Sequence, residues 1–313
     1  MPTTVDPIDT KDRAAVVSAY TNSYLPTVGV AMGWTGDHAS CTPGATSSAY
    51  RDATILRTNY YRAMAGVSGT VVFDATLDAD YQSAALMQAK NAPPLDHNPP
   101  VTWLCYTVGG DDASEDANLA LGNGGAEAVG AYMDDNGLTY AGHRRWVLYP
   151  IQVTMATGSV SSPQIANALG VIVPGGYGSV DAYSETVLGN GWLSHPDFVR
   201  AVCWPPPRYC PYQILPANSK MWSLSIHANA SPDFSAATVT MTKDNGATPV
   251  TANIQALEVG YGDKTLVWEV PSISYAAPGA DTDYEVTVGN VGIGTRSQKQ
   301  TFTYTVTVID PSA

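Results

Sequence analysis

Basic residues are scarce in this chain of 313 residues, with 15 lysines and arginines against 28 acidic residues and a formal net charge of −13. A field of that sign repels nucleic-acid phosphates and the headgroups of anionic membranes. Long apolar runs are also missing, because no stretch approaches the ~18 residues of a membrane span. The composition therefore argues against a nucleic-acid partner and predicts no transmembrane segment.

Several sequence signatures are absent as well. There is no nucleophile elbow, no phosphate-binding loop and no His-Glu-x-x-His pair, so the standard hydrolase, kinase and zinc-protease motifs are lacking. The first residues show neither the basic start nor the apolar run of a signal peptide. Two interpretations stay open: a cytoplasmic protein, or an exported protein whose signal peptide has been removed. We expect the second, for reasons given by the cysteines.

Only four cysteines are present, and three pairings of them are conceivable. The six residues between Cys203 and Cys210 are too many for a redox Cys-x-x-Cys motif and do not match zinc-knuckle spacing. We expect a local disulfide between these two, which leaves Cys41 to pair with Cys105; four buried free thiols are the alternative. An even cysteine count, few lysines and abundant Thr, Ser, Gly and Tyr indicate an extracellular protein.

The chain length predicts two domains. Helical periodicity predicts helices over residues 11–24 with Thr10 as the cap, over residues 49–65, after the cap Asp74 and around residues 126–133. Short apolar stretches follow, of which residues 168–173 are typical of a buried strand. Helices followed by strands, without regular alternation, indicate an α+β or three-layer domain.

From Cys203 onward, apolar and polar residues alternate with period two, for example at residues 222–226, 266–270 and 302–308. Such strands, bounded by Gly, Asn and Pro turns, are typical of a β-sandwich. The prolines at 205–207 form a stiff junction. We therefore predict an N-terminal extension (1–47), a first domain (48–202) and an all-β domain (203–313), the last acting as a spacer or stabilising partner without a polar cluster of its own.

The most informative segment runs from Gly142-His143-Arg144 through an apolar stretch to Pro150. Here the chain resembles the bacterial branch of the CAP superfamily of cysteine-rich secretory, pathogenesis-related (SCP-like) extracellular proteins. Further matches lie in the order that this family shows. They are Asn59 and Arg62 in the first helix, Leu77, Ala84 and Ala89 in the second, His97 after it, and Asn118-Leu119-Ala120. Trp204-Pro205-Pro206 and Gly260-Tyr261-Gly262 look like the β-domain of some bacterial relatives.

The resemblance implies a fold and a site. The fold is an α-β-α sandwich followed by an immunoglobulin-like β-sandwich. The site is a cleft in which two histidines and two acids converge, and the histidines carried over are His97 and His143. Two neutral imidazoles with carboxylates suit zinc or another divalent cation with open positions for water. The same groups are suited to general acid–base chemistry.

The acids depart from the family pattern, because Ala117 stands where the glutamate is expected. Glu115 or Asp116 can take its place after a loop shift, and Glu115 is preferred. Asp135 is expected as the second acid, with Glu127 as the weaker candidate. Each of these residues also has a simpler interpretation. The histidines are then structural or loop residues, the acids are solvated, and Arg144 pairs with an acid of the third helix.

Three functions follow, from different classes. The first is an extracellular, non-enzymatic module that binds a small hydrophobic ligand, a lipid or a protein partner, with a cleft that holds a divalent metal ion. The second is a metal-assisted hydrolase or protease that uses His97, His143 and an acid. The third is a structural surface or adhesion protein with a vestigial cleft. The placement of the acids relative to the histidines distinguishes them.

Overall fold

The α-helices among the described residues all lie in the first half of the molecule. The computed structural model describes residues 2–178, 193–194, 200–227, 230–294 and 299–313. The α-helices of these ranges are α1 (Arg13–Ala19), α2 (Ser48–Met64), α3 (Asp78–Asn91), α4 (Val108–Glu115), α5 (Gly125–Asp134) and α6 (Gly142–Val147). A π-helical turn (Tyr20–Tyr24) and a 3-10 turn (Leu25–Thr27) prolong α1, and another 3-10 turn (Ala75–Leu77) leads into α3.

Side-chain caps set where these helices begin. Ser47 caps α2 by accepting from the amide of Tyr50 at 3.2 Å, as serine does at N-caps because the first helical amides lack partners. Asp74 caps the turn before α3 through the amide of Thr76. The cap of α1 is Asp12 and not Thr10, since the Asp12 carboxylate accepts from Ala14. Three predicted helices therefore lie within a few residues of their observed positions, and α1 is shorter than expected.

Two helices were not predicted. Thr107 caps α4 by accepting from the amide of Gly110 at 3.0 Å, in a segment whose glycines weaken the helical pattern. Gly142–Val147 forms α6, in a segment for which the sequence predicted only the start of an apolar stretch. Ala141, in the left-handed conformation at φ 52°, redirects the chain into this helix. The strand that follows begins only at Thr154.

The first half contains a four-stranded sheet with the order β1-β3-β4-β2, in which only β1 and β3 are parallel. Its strands are β1 (Val72–Phe73), β2 (Ala117–Leu121), β3 (Thr154–Val160) and β4 (Ala166–Gly170). Helices cover both faces. Ala168 packs with Tyr81 of α3 and Ala113 of α4, whereas its neighbour Leu169 belongs to the cluster that contains Leu56 of α2 and Val129 of α5.

The second half consists of two sheets, with the orders β11-β10-β14-β15-β7 and β12-β13-β8-β6-β5; β9 is added to β14. The strands are β5 (Leu193–Ser194), β6 (Arg200–Trp204), β7 (Arg208–Pro211), β8 (Met221–Ile226), β9 (Pro232–Asp233), β10 (Thr238–Lys243), β11 (Thr248–Val250), β12 (Asn253–Ile254), β13 (Lys264–Glu269), β14 (Thr282–Ile293) and β15 (Gln300–Ile309). Trp222 and Leu266 of one sheet and Val286 and Val306 of the other share one apolar core. The predicted mixture of helices and strands is thus confirmed.

The two halves are joined more closely than a spacer model implies. The predicted boundary between residues 202 and 203 falls inside β6, a strand of the second half. The N-terminal extension reaches across as well, because the carbonyl of Thr10 accepts from the amide of Tyr209 at 2.9 Å and Arg13 pairs with Asp281 at 3.0 Å.

One of the two predicted disulfides is present in the structure, and the other is not. Cys41 and Cys105 form a disulfide, as expected. Cys203 and Cys210 are both free and buried, so the predicted bridge between them is wrong. Cys203 lies on β6 of one sheet and Cys210 on β7 of the other, because the proline segment carries the chain from one sheet to the other. Burial raises the pKa of the Cys203 thiol to about 12 and also raises that of Cys210, which makes both thiols unreactive.

Within the described ranges, no helix combines the length and the apolar character needed to cross a bilayer. The disulfide is compatible with an oxidising, extracellular location.

Candidate functional site

A cleft of about 420 Å³ lies where the two halves meet. Residues from α4, β2, α6 and the loop before β13 form its walls. They are Leu95, His97, Glu115, Asp116, Ala117, Asn118, Leu119, Leu138, Tyr140, Gly142, His143, Trp146, Val171, Ile172, Gly260 and Tyr261. The structure thus brings His97, His143, Glu115 and Asp116 to one cavity.

His143 is held from behind by a buried carboxylate. Its Nδ1 lies 2.8 Å from Oδ1 of Asp135, which is 2 % exposed. Asp135 follows α5 in the left-handed conformation at φ 59°, and its second oxygen accepts from the amide of Arg144 at 3.3 Å. Because the ionised carboxylate can only accept, Nδ1 carries the proton and Nε2 keeps the lone pair in the neutral imidazole.

His97 is oriented by a main-chain carbonyl. Its Nδ1 lies 2.9 Å from the carbonyl oxygen of Ser114, a buried residue of α4. A carbonyl accepts only, so Nδ1 again donates and Nε2 is the nitrogen available to a ligand. His97 itself is exposed, whereas the His143 side chain is 25 % exposed.

The two acids that line the cleft come from the end of α4. Glu115 is exposed, and Asp116 is half-buried. Burial raises the pKa of the Asp116 carboxyl, and the nearby charges of Glu115 and Asp112 raise it further. Asp135 does not line the cleft, because it lies behind His143 as the partner of Nδ1. Glu127 borders a different cavity and lies 3.8 Å from the guanidinium of Arg57.

Two residues that sequence reasoning did not assign to the site support His143. The side-chain amide of Asn118 donates to the main-chain carbonyl of His143 at 3.0 Å. The hydroxyl of Tyr132 donates to the carbonyl of Asn118, and its ring centroid lies 5.3 Å from that of His143. Asn118 belongs to the motif resemblance, but Tyr132 carries no signal beyond its place on the apolar face of α5.

The aromatic walls of the cleft were also missed. Trp146 lines the cavity. Tyr261 belongs to the β-rich half, for which no site was predicted, and its ring lies 4.8 Å from that of Tyr140. The motif Gly260-Tyr261-Gly262 was the only sequence signal that pointed to this loop.

The two arginines that follow His143 fasten the cleft to the β-rich half. Arg144 is buried and donates to the carbonyls of Met133, Asp134 and Met221 and to the hydroxyl of Ser223. These contacts take the place of the expected pair with an acid of α5. Arg145 donates to the carbonyls of Glu258 and Asp263. Burial lowers the pKa of each guanidinium to about 10, which leaves both charged at neutral pH.

The cleft does not offer a complete metal site. Two imidazoles with free Nε2 atoms are suitable ligands, but catalytic zinc sites use three protein ligands and structural sites four. In the part of the chain that the structure describes, no group of three or more His, Cys, Asp and Glu side chains is placed to hold a metal ion. Asp135 is engaged by Nδ1 of His143. The donor set therefore does not fit a resident zinc ion.

His195, a histidine without supporting neighbours in the sequence, lies outside the described residues. Comparison of the chain with models of protein families, with curated proteins and with solved structures found no match in any of the three.

Proposed function

We propose that this protein is a non-enzymatic binding module whose cleft holds a small, largely apolar ligand. The observation that carries the proposal is the convergence of His97 and His143 on one cavity, each with Nδ1 already bonded and Nε2 left over. Binding pockets for small molecules typically have volumes of ~300–1,000 Å³ and pair apolar walls with a few oriented polar groups. The cleft, at about 420 Å³, meets both conditions.

The residues that line the cleft limit the kinds of ligand that it can bind. Leu95, Leu119, Leu138 and Ile172 supply aliphatic surface, and the aromatic residues described above supply the rest. An imidazole Nε2 with a lone pair accepts a hydrogen bond from an O–H or N–H group. The carboxylates of Glu115 and Asp116 repel an anionic head group. The ligand is therefore an uncharged or cationic, largely apolar molecule that carries at least one hydrogen-bond donor.

We also propose that residues 48–202 are a CAP-type domain, that the β-rich half is an immunoglobulin-like sandwich and that the protein is exported. The order of the motifs from Asn59 to His143 supports the first point. The two face-to-face sheets support the second, and the Cys41–Cys105 disulfide supports the third.

The test uses N-phenyl-1-naphthylamine, a neutral fluorescent probe with an aromatic body and one N–H donor. The wild-type protein is expected to enhance its fluorescence with one site per chain. His97→Ala or His143→Asn, whichever removes the nitrogen that accepts the single N–H of the probe, should weaken binding roughly three- to tenfold, the value of one hydrogen bond. His38→Ala is the matched control, because Nε2 of His38 contacts the carbonyl of Ser161, outside the cleft.

Two results would count against the proposal. Absence of saturable fluorescence enhancement with the wild type would leave the cleft without a binding role and favour the structural, vestigial alternative. Equal affinities for His97→Ala, His143→Asn and His38→Ala would show that the probe binds elsewhere.

A second candidate is a hydrolase, and the Asp135–His143 pair favours it. A buried carboxylate on Nδ1 is the arrangement that lets Nε2 act as a general base. Among the described residues that line the cleft there is no Ser, Thr or Cys, so the nucleophile in this candidate would be a water molecule deprotonated by Nε2.

This candidate is tested by the release of p-nitrophenolate from p-nitrophenyl acetate. Hydrolysis above the rate of an equal concentration of imidazole, lost in Asp135→Asn while probe affinity is kept, would replace the binding proposal by the enzymatic one. Hydrolysis at the imidazole rate in both proteins excludes it for simple esters. A zinc titration by calorimetry separates the metal-assisted version, for which His97→Ala must abolish tight binding.

A further inference from the structure

Tyr261 enters the cleft from the β-rich half on a loop shaped by two glycines. Gly260 has φ +93° and Gly262 has φ +49°, both in the left-handed region that side chains rarely adopt. This backbone places the half-buried Tyr261 between them as a wall of the cleft. The motif Gly260-Tyr261-Gly262 is thus explained by the position of a single aromatic ring.

Arg145 of α6 fixes that loop to the helix-containing half. Its guanidinium donates to the carbonyl of Glu258 at 3.1 Å and to that of Asp263 at 2.8 Å. The same guanidinium lies 5.6 Å from the centroid of the Tyr261 ring. A Cβ atom at Gly262 would lie 2.9 Å from the carbonyl oxygen of Arg145, so the loop and the helix are in close contact. Contacts with Arg145 therefore fix the loop both before and after Tyr261, which keeps the ring in place.

Gly142 makes room for a pair of tyrosines. A Cβ atom at this position would lie 2.7 Å from the ring of Tyr140 and 3.2 Å from the ring of Tyr261. The two rings lie 4.8 Å apart at an angle of 31°. Burial, followed by the nearby Tyr261 side chain, raises the pKa of Tyr140 to about 12. The glycine before His143 thus allows an aromatic pair, one ring from each half, to line the cleft beside that histidine.

We propose that Tyr261 is a specificity-determining residue, which together with Tyr140 selects a ligand containing a flat aromatic ring. The inference rests on the proposed function, because it assigns the ligand class of the same cleft. Aromatic rings prefer offset or tilted contacts with other rings. Trp146 adds a third aromatic side chain to the same lining. The ligand is then bound jointly by both halves of the molecule.

The experiment compares two competitors that share one carbon skeleton. Bound N-phenyl-1-naphthylamine is displaced either by 2-naphthol, which is flat, or by 2-decalol, which is saturated; both carry one hydroxyl donor. The wild type is expected to bind 2-naphthol about fivefold more tightly, as ring contacts suggest. Tyr261→Leu should lose this preference, Tyr261→Phe should keep it, and Tyr106→Leu, a half-buried tyrosine outside the cleft, should also keep it.

Gly142→Ala provides a second variant that keeps both tyrosines but pushes their rings apart. It should reduce the preference for 2-naphthol, and it keeps the test decisive when Tyr261→Leu does not fold. A merely structural role of Tyr261 predicts equal weakening for both competitors, and that result would overturn the inference. Failure of the probe to bind to the wild type would instead overturn the proposed function, so the two failures are distinguishable.

Discussion

The two halves of the molecule bury different kinds of side chain. In the helix-containing half, the core includes the guanidinium groups of Arg57, Arg62, Arg144 and Arg145, and it holds most of the buried polar residues among those described. In the β-rich half, the core is built from tryptophan, leucine and valine, with Trp222, Leu266 and Val286 fully buried. The helix-containing half thus adds buried hydrogen bonds to its apolar core, whereas the β-rich half relies mainly on apolar packing.

The physical reason lies in the backbone. The β-rich half satisfies its amides and carbonyls through long ladders such as that between β14 and β15. The other half contains irregular segments, and their carbonyls need other donors. Arg62 supplies them: its guanidinium donates to the carbonyls of Ser68, Val147, Tyr149 and Gln152. The guanidinium of Arg62 thus supplies the hydrogen-bond donors that a neighbouring strand would supply in a sheet.

The largest expected effect follows from that role. Arg62→Ala should lower the free energy of unfolding by about 4 kcal/mol, because several buried carbonyls lose their donor at once. Arg51→Ala in the same helix is the control, since Arg51 is partly exposed and pairs with Asp78. It should cost about 1 kcal/mol or less. Urea unfolding followed by circular dichroism measures both, and equal losses would refute the comparison.

In the β-rich half, the free energy of unfolding should depend mainly on the volume of the buried apolar side chains. Leu266→Ala is expected to cost about 3 kcal/mol through lost burial and the cavity left behind. Leu257→Ala, at a leucine that is 45 % exposed, should change the free energy of unfolding by less than about 0.5 kcal/mol. Thermal and urea unfolding test this pair. A loss at Leu257 as large as that at Leu266 would contradict apolar packing as the source of stability.

The cysteines also differ between the two halves, since the first half contains the disulfide and the β-rich half contains two buried free thiols. Reduction of the Cys41–Cys105 bond, which spans 64 residues, should lower the free energy of unfolding by roughly 2–3 kcal/mol. Urea unfolding with and without a reductant measures the loss, and Cys41→Ser should show no further effect of the reductant. The folded protein should react with thiol reagents at neither Cys203 nor Cys210. Four reactive thiols in the oxidised, unfolded chain would show that the disulfide is absent.

The smallest expected change in the free energy of unfolding concerns Asp116, which lines the cleft. The pKa of Asp116 is raised above its ordinary value of 3.8, so its ionisation destabilises the folded state as pH rises from 3.8 through the folded-state pKa. Asp116→Asn should therefore stabilise the protein at neutral pH, by a few tenths of a kcal/mol after solvent screening, and give no gain below pH ~3. The exposed Asp6→Asn is the control. A gain that persists at low pH would contradict this cause.

Much of the secondary structure could be predicted from local pattern. The helical period of Ala53, Leu56 and Tyr60 predicted a helix over residues 49–65, which differs from α2 by one residue at each end, because this signal is local to the helix. Alternation likewise located β8 and β13. The run after Gly142 was not predicted as a helix, because short apolar runs do not distinguish a strand from a helix. Its helical form directs two arginines into the β-rich half.

The candidate site was predictable in part. The motif order pointed to His97 and His143 together, and both line the cleft. The roles of their partners could not be predicted: Asp135 lies behind His143, and the carbonyl of Ser114 holds His97. Tyr261 was missed because it lies more than a hundred positions after His143.

The sequence by itself determined the acidic net charge, the lengths and periods of most helices and strands, and the division into a half that mixes helices with strands and a β-rich half. These properties depend on composition and on neighbours a few residues apart. Only the tertiary structure decided which cysteines pair, which carbonyls the buried arginines bind and which tyrosine closes the cleft. Each of these depends on distances between residues far apart in the chain, which local pattern does not encode.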